Sequence, residues 1–316
     1  MNVGTSGIGT DLTEAEPDRL RPVAGRAEVR RASGRAFTRA WLLSFAIAAV
    51  LAIPGNGVGA DAGSGAGAGT APSALQPHRA IYRLSLAKTA PRGDVAAADG
   101  SMFYRFAQGC DGWTVENRTV LHLTFQSGGE AETVWTFASW ESADGLQFRF
   151  YTRYEQDGEM VERLAGRATL EGPGAAGTVT FSEPADRVIA LPLGTLFPAE
   201  HIRAVTRAAE RGEKSLETVV FDGASLDNPY LIHAVIKPLP QAQREQMAAK
   251  TNLPVMPAWL THMAFFPYHQ REPAPEFEIA AHYRADGIAD RIIQYFSDFT
   301  LSVQLGEFEA LARPDC

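Results

Sequence analysis

Alternation of apolar and polar residues with a period of two runs through most of the chain from residue 79 onward. It is clearest in residues 113–125, where Trp113 and Leu121 fall on one face and Glu116 and His122 on the other. Because successive side chains of a β-strand point to opposite faces, this pattern predicts strands with one buried face. Asp-Gly and Gly-Gly pairs separate the runs at short spacing and favour hairpin turns. The sequence therefore predicts a consecutive antiparallel meander.

One stretch, residues 191–212, interrupts the alternation with a helical pattern. Pro198 suits the first turn of a helix, and Gly212 suits the position just after its end. An apolar stripe follows the helical repeat between them. We expect one amphipathic helix that packs its stripe against a curved sheet and fills part of the space inside it. The residues expected to form this helix plug are Pro198, His201, Ile202, Val205 and Ala209.

About fourteen strands and one helix are predicted. So large a sheet would leave costly open edges unless it curled round on itself. The expected fold class is therefore all-β, a mostly antiparallel β-spiral or open barrel with one central α-helix. Residues 239–256 are predicted to be a loop, because four prolines bracket them, although residues 241–250 could form a loose helical turn.

The N-terminal region has the pattern of an export signal. Arginines precede an apolar run of thirteen residues, 41–53, which is too short to span a bilayer comfortably. Small residues at 58–60 then favour cleavage after Ala60, and an uncleaved N-terminal anchor is the alternative. We expect residues 1–60 to be a signal peptide with an extended N-region, 61–77 a flexible Gly/Ala-rich tether, and 78–316 a single domain. The processed protein is expected in the periplasm and not to span the membrane.

The charge balance argues against nucleic acid as a partner. The first 60 residues carry seven of the 29 Lys and Arg and five of the 37 Asp and Glu, so the remainder holds 22 basic and 32 acidic residues, a net charge of −10. Phosphate contacts require clustered Lys and Arg. An acidic exported chain without such a cluster is a poor nucleic-acid binder.

Cys110 and Cys316 are the only cysteines, and both lie in the part expected to be exported. An even pair in an oxidising compartment indicates a disulfide. The alternatives are two unrelated buried thiols or a redox site, but redox cysteines are usually close in sequence, as in C-x-x-C.

No motif in the sequence indicates a reaction. The histidines form no zinc-binding pattern, and His201 is expected either to hydrogen-bond the first turn of the helix or to line the mouth of a cavity. Glu130 and Glu132 share one strand face, but carboxylates beside a turn are usually solvated. The large aromatic residues are more typical of a core than of a ligand platform. We therefore predict no catalytic residue, no metal site and no cofactor.

Four segments carry distinctive motifs: HRAIYRLSLA at 78–87, GSMFYRF at 100–106, GCDGWTVENR at 109–118 and LPLGTLFPAEH at 191–201. Together with the terminal cysteine, they resemble the EipB family of cell envelope integrity proteins of alphaproteobacteria. The resemblance implies a periplasmic β-spiral of some fourteen strands around one helix, with a disulfide that falls here on Cys110 and Cys316. Ala199 departs from the hydroxyl residue expected at the start of the helix, which weakens capping locally.

The resemblance also implies a function. It points to a non-enzymatic periplasmic protein that maintains envelope integrity and resistance to envelope stress through protein–protein interaction. A periplasmic tetratricopeptide-repeat protein is the implied partner. The β-spiral is also similar to lipoprotein carriers that hold acyl chains in a cavity, so a carrier or binder of lipid or lipoprotein acyl chains is the alternative.

Overall fold

The structure is a computed structural model that describes residues 74–269 and 274–316. These residues all belong to one structural unit, Arg35–Cys316, and the other unit, Met1–Gly34, lies outside the described part. The predicted signal peptide, its cleavage site after Ala60 and most of the predicted tether also lie outside the described residues.

The described part of the chain contains fifteen β-strands in one sheet and two α-helices. The strands are β1 His78–Thr89, β2 Val95–Gln108, β3 Gly112–Phe125, β4 Glu130–Ser142, β5 Gln147–Gln156, β6 Glu159–Leu170, β7 Gly177–Glu183, β8 Val188–Leu191, β9 Thr195–Leu196, β10 Ser215–Val220, β11 Tyr230–Pro238, β12 Ala258–Pro267, β13 Phe277–Arg284, β14 Ala289–Tyr295 and β15 Phe299–Ala310. The helices are α1, Pro198–Glu210, and α2, Gln241–Thr251.

The order of the strands forces the sheet to curl. β1 pairs with both β2 and β15, so the sheet runs outward from β1 to the edge strands β8 and β9. Laid flat, fifteen strands at about 4.8 Å spacing would place those edges roughly 65 Å apart. Only residues 192–194 connect β8 to β9, a link that reaches at most about 15 Å when extended. The two edges must therefore lie close together, and the sheet forms a nearly closed barrel, as the predicted fold class requires.

Antiparallel pairing dominates, and the side chains alternate as the sequence predicts. Only the pairing of β9 with β10 is parallel within the described sheet. In β5, Phe148, Phe150 and Tyr154 are buried on the inner face, whereas Arg149 is exposed on the outer face. The inner faces of the strands form one extended hydrophobic core.

The predicted central helix is present as α1, and its ends follow the sequence signals. Pro198 is its first residue, and Gly212, just beyond its end, has a φ of +79°, a left-handed conformation that glycine adopts at low cost. The inner face of the helix contributes to two hydrophobic clusters, one with Leu75 and Trp113 and the other the main core. α1 therefore lies inside the curled sheet.

The prediction of a loop over residues 239–256 is wrong, because Gln241–Thr251 forms α2. Pro240 is the N-cap of this helix and so lies where proline does not break the hydrogen-bond ladder. Asn252 ends the helix in the left-handed conformation, with φ 53°. Met247 packs with Leu239 and Ala258, and this tertiary contact stabilises a helix whose own apolar pattern is weak. Neither helix of the described part is long and apolar enough to cross a membrane.

The fifteen strands of the sheet agree with the prediction of about fourteen. The shortest, β9, has only two residues, too few for a periodic pattern. The period-two alternation of residues 277–284 would put Arg284 on the polar face of β13, but Arg284 is 1% exposed. Its guanidinium donates to Asp286 at 3.0 Å and to the Pro254 carbonyl at 3.2 Å, so a buried ion pair satisfies its charge.

Candidate functional site

The helix plug, formed by α1, packs against the inner faces of the surrounding strands. The residues expected to form it are all buried: Pro198, His201, Ile202, Val205 and Ala209. The helix places them against the surrounding strands because they follow the 3.6-residue repeat.

The first turn of α1 is capped by a side chain from a distant strand. Phe197, the N-cap residue, provides no side-chain hydrogen bond. Instead, the N–H of Ala199 donates to Glu141 Oε2 at 2.5 Å, and the N–H of Glu200 donates to Glu141 Oε1 at 2.8 Å. Glu141, at the end of β4, therefore satisfies two donors that a helix leaves free at its N-terminus. The weak capping expected from Ala199 is thus compensated from outside the helix.

The buried carboxyl group of Glu141 also has a strongly raised pKa. Burial raises its pKa to about 7, while the hydrogen bonds from Ala199 and Glu200 and the positive charge of Arg203 lower it. The group can therefore gain or lose a proton near neutral pH while it contacts the helix. Sequence reasoning missed this residue, because the contact joins positions 58 residues apart.

His201 is fully buried, and neither of its ring nitrogens has a hydrogen-bond partner among the described residues. Burial lowers its pKa well below the usual value for histidine, so the ring is neutral. The structure therefore shows no hydrogen bond from His201 to the first turn of the helix, which was one of the two roles expected for it.

A small cavity of about 20 Å³ lies beside α1. That volume accommodates about one water molecule and no acyl chain. Tyr283 lines the cavity, and its buried hydroxyl has no hydrogen-bond partner in the part of the chain that the structure describes. The lining residues are His78, Tyr82, Met102, Tyr104, Ile202, Tyr283, Gly287 and Ala289.

Aromatic side chains occupy much of the interior next to the start of α1. The rings of Phe148 and Phe197 stack with centroids 5.1 Å apart. Phe150 contacts both Phe181 and Phe221 edge-on, each with centroids 5.4 Å apart. All five side chains are buried. An acyl chain could enter this region only by displacing these close-packed rings.

A larger groove, of about 330 Å³, lies on the outer surface where β1, β2 and β15 meet. Ile81 and Phe103 are each 39% exposed there and lie directly opposite each other on β1 and β2. Charged residues flank them, and Arg79 forms an ion pair with Glu309. The groove thus combines two apolar side chains with a charged rim.

The two cysteines meet at the surface. The sulfur atoms of Cys110, in the β2–β3 turn, and Cys316, the last residue, lie 2.08 Å apart, which is a disulfide distance. Both residues are exposed. Arg313 holds the same C-terminal segment by donating to the Leu75 carbonyl at 2.6 Å. The last residues of the chain are therefore fastened beside the early strands.

The described residues provide no clear catalytic or metal-binding arrangement. No group of three or more His, Cys, Asp or Glu in residues 74–269 and 274–316 could hold a metal ion. Glu130 and Glu132 are exposed, and Glu132 lies 3.5 Å from a ring nitrogen of His122, also exposed. These are ordinary surface contacts between side chains of neighbouring strands.

The fold and site define an all-β protein with a nearly closed, fifteen-stranded sheet that surrounds a helix. The sequence matches the EipB-like family over residues 69–312, and the chain belongs to that family.

One relative and one solved structure, both from Brucella abortus, are similar to the chain. The cell envelope integrity protein EipB of strain 2308 is 28% identical over 236 residues, which cover 73% of this chain and 82% of the relative. The crystal structure of a beta-barrel-like protein superposes with a TM-score of 0.66 at 25% identity. That match covers 76% of this chain and 100% of the other.

Proposed function

We propose that this protein is a non-enzymatic periplasmic protein that maintains the integrity of the cell envelope and its resistance to stress through contacts with other proteins. The observation that carries the proposal is membership of the EipB-like family, whose relative in Brucella abortus is named a cell envelope integrity protein. The signal-like N-terminal region supports export to the periplasm.

The packed interior supports protein contact over lipid carriage. Phe148, Phe150, Phe197 and Phe221 fill the space beside the plug, and the small cavity next to it accommodates about one water molecule. A carrier that holds an acyl chain inside the sheet would have to move α1 or these rings. Binding at the outer surface requires no such rearrangement.

The implied partner is a periplasmic protein with tetratricopeptide repeats. Reciprocal co-purification of the two tagged proteins from envelope extracts would support this assignment. Recovery of neither protein with the other would count against this partner, but not against the envelope role.

A deletion strain tests the proposed function. Cells without the gene should lose survival in detergent, in a β-lactam and in a chelator, and the wild-type gene on a plasmid should restore it. A version without residues 1–60 serves as a control for export and should not restore survival. Unchanged survival of the deletion strain under all three challenges would contradict the proposal.

A further inference from the structure

Four arginines lie together on the outer face of the β5–β6 hairpin, and we refer to them as the arginine face. Pairing of the strands places Arg149 directly opposite Arg167, and Arg153 directly opposite Arg163. Like charges directly opposite each other on neighbouring strands destabilise a sheet. The hairpin therefore carries two unfavourable pairs on a chain whose net charge is −8.

The two pairs differ in how their charge is compensated. Arg153 donates to Glu155 at 2.5 Å, and Arg163 forms an ion pair with Glu183. In residues 74–269 and 274–316, no carboxylate lies within ion-pair distance of Arg149 or Arg167. Arg149 and Arg167 are both exposed, and no carboxylate compensates their positive charges.

Aromatic rings border the uncompensated pair. The guanidinium carbon of Arg149 lies 4.9 Å from the centre of the Trp140 ring, a cation–π contact that fixes the direction of the side chain. Tyr151 lies on the same outer face of β5, between Arg149 and Arg153. Its neighbours directly across the strands, Ala138 and Ala165, are small, and Tyr151 is half-buried.

This set of residues has the composition of a protein interface. Arginine, tryptophan and tyrosine are the residues most enriched at the energetic centres of protein–protein contacts. Two neighbouring guanidinium groups can bind a carboxylate from both sides with charge-assisted hydrogen bonds. An anionic membrane is a less suitable partner, because a broad negative surface would also meet Glu155 and Glu183 beside the arginines.

We propose that the arginine face binds an acidic segment of a partner protein, with a carboxylate between Arg149 and Arg167 and an adjacent side chain on Tyr151 and Trp140. This inference rests on the proposed function, since it assigns the surface through which the protein contacts its partner. It also explains why the two opposed arginines are tolerated: the binding of an acidic segment would remove their repulsion.

The test measures the binding of a fluorescein-labelled deca-glutamate peptide to the purified, processed protein by fluorescence anisotropy at low salt. The variant Arg149→Gln/Arg167→Gln removes the uncompensated pair. The control Arg83→Gln/Arg291→Gln removes two other exposed strand arginines, each opposite Gln304, and changes the net charge equally. Circular dichroism and melting curves establish that both variants are folded.

The wild-type protein and the control should bind the peptide equally, and the test variant should bind roughly tenfold more weakly. Rising salt should reduce the difference because it screens the charges. Equal loss of affinity in the test variant and the control would overturn the proposal. So would arginine-dependent binding to phosphatidylglycerol vesicles without peptide binding, or arginine-dependent self-association in sedimentation, because either would assign the face to a different partner.

Complementation separates this inference from the proposed function. If the wild-type gene restores the deletion strain and the Arg149→Gln/Arg167→Gln gene does not, both statements are supported. If both genes restore survival equally, the arginine face is not the functional contact, although the envelope role stands. If the deletion strain survives without any gene, the proposed function itself fails. The peptide-binding experiment alone then decides whether the arginine face binds an acidic segment.

Discussion

Glu141 should make the stability of the protein depend on pH in a way that a single substitution removes. Its carboxyl is buried, and its pKa in the folded protein is about 7, against 4.5 for the ordinary group. A carboxyl whose folded-state pKa is raised stabilises the protein fully below its unfolded-state pKa, and this stabilisation is lost as the pH rises through the folded-state pKa. The relevant window therefore runs from pH 4.5 to pH 7.

The size of this effect follows from the shift in pKa. A difference of about 2.5 units corresponds to about 3 kcal/mol of unfolding free energy. In Glu141→Gln the side chain is neutral at every pH and has nearly the same shape, but its amide has one acceptor oxygen, so one of the two N–H groups loses its acceptor at every pH. That loss does not depend on pH, so the difference in unfolding free energy between the variant and the wild-type protein should move in favour of the variant by up to about 3 kcal/mol from about pH 4 to about pH 8.

Urea denaturation followed by tryptophan fluorescence at several pH values measures the two free energies. Glu162 and Asp222 also have raised pKa values, about 7 and about 6, but both are present in wild type and variant and cancel in the difference. Glu141→Ala is the second variant. It leaves the N–H groups of Ala199 and Glu200 without acceptors and should be about 2–4 kcal/mol less stable than Glu141→Gln.

A constant difference between wild type and Glu141→Gln across this pH range would refute the reasoning. A difference that moves in favour of the wild type as the pH rises would also refute it. In that case the two N–H bonds would outweigh burial and hold the pKa of Glu141 below its ordinary value.

Three further predictions concern the disulfide, the packed interior and the arginine face. Cys110→Ser should lower the melting temperature of the oxidised protein, since a bridge across 206 residues contributes about 5 kcal/mol in the chain-entropy model, and it should change the melting temperature little in reductant. Equal melting temperatures of the oxidised wild type and variant would reject a stabilising bridge. Gly223→Ala should cost about 2–5 kcal/mol, because Gly223 has a φ of +70° and the new Cβ would lie 2.4 Å from the Phe150 ring. Gly128→Ala, with a φ of +88° and nothing within 4 Å, is its control and should lose much less in urea denaturation; similar losses would show that the Phe150 contact does not matter. Arg167→Gln should raise the unfolding free energy by about 0.2–1 kcal/mol at low salt through relief of its repulsion with Arg149, and the gain should disappear at high salt; a loss of stability at low salt would show that the two arginines do not repel.

Much of the fold could be predicted because short-range patterns determine it. The alternation in the sequence of β5 is enough to separate Phe148 and Phe150 from Arg149, and Pro198 and Gly212 mark the ends of α1 as predicted. In a strand with one buried face, every second residue is apolar, and this shows which face is buried. The end of a helix is indicated by the type of a single residue at the cap. These signals require no knowledge of distant parts of the chain.

The features that sequence reasoning missed depend on contacts between distant residues. The helix α2 is stabilised by the packing of Met247 against Leu239 and Ala258 and not by a strong periodic pattern. Glu141 caps a helix that begins 57 positions further along the chain. Arg284 is buried because Asp286 and a loop carbonyl surround it.

The arginine face was missed for the same reason. The alternation placed Arg149 and Arg153 on the polar face of their strand, but only the register between β5 and β6 brings Arg149 opposite Arg167. Register depends on the pairing of whole strands, and turn signals alone do not give it to the nearest residue.

The interior of the sheet is filled by α1 and aromatic side chains, and under the proposed function the protein makes its contacts through its outer surface. Native mass spectrometry of the protein isolated from the periplasm distinguishes a packed interior from one that holds a ligand. A packed interior should give one species with the mass of residues 61–316, less the two hydrogens lost to the bridge between Cys110 and Cys316, and without an acyl adduct. A bound lipid or acyl chain that persists in the native spectrum and leaves on denaturation would rule out a packed interior and favour a carrier.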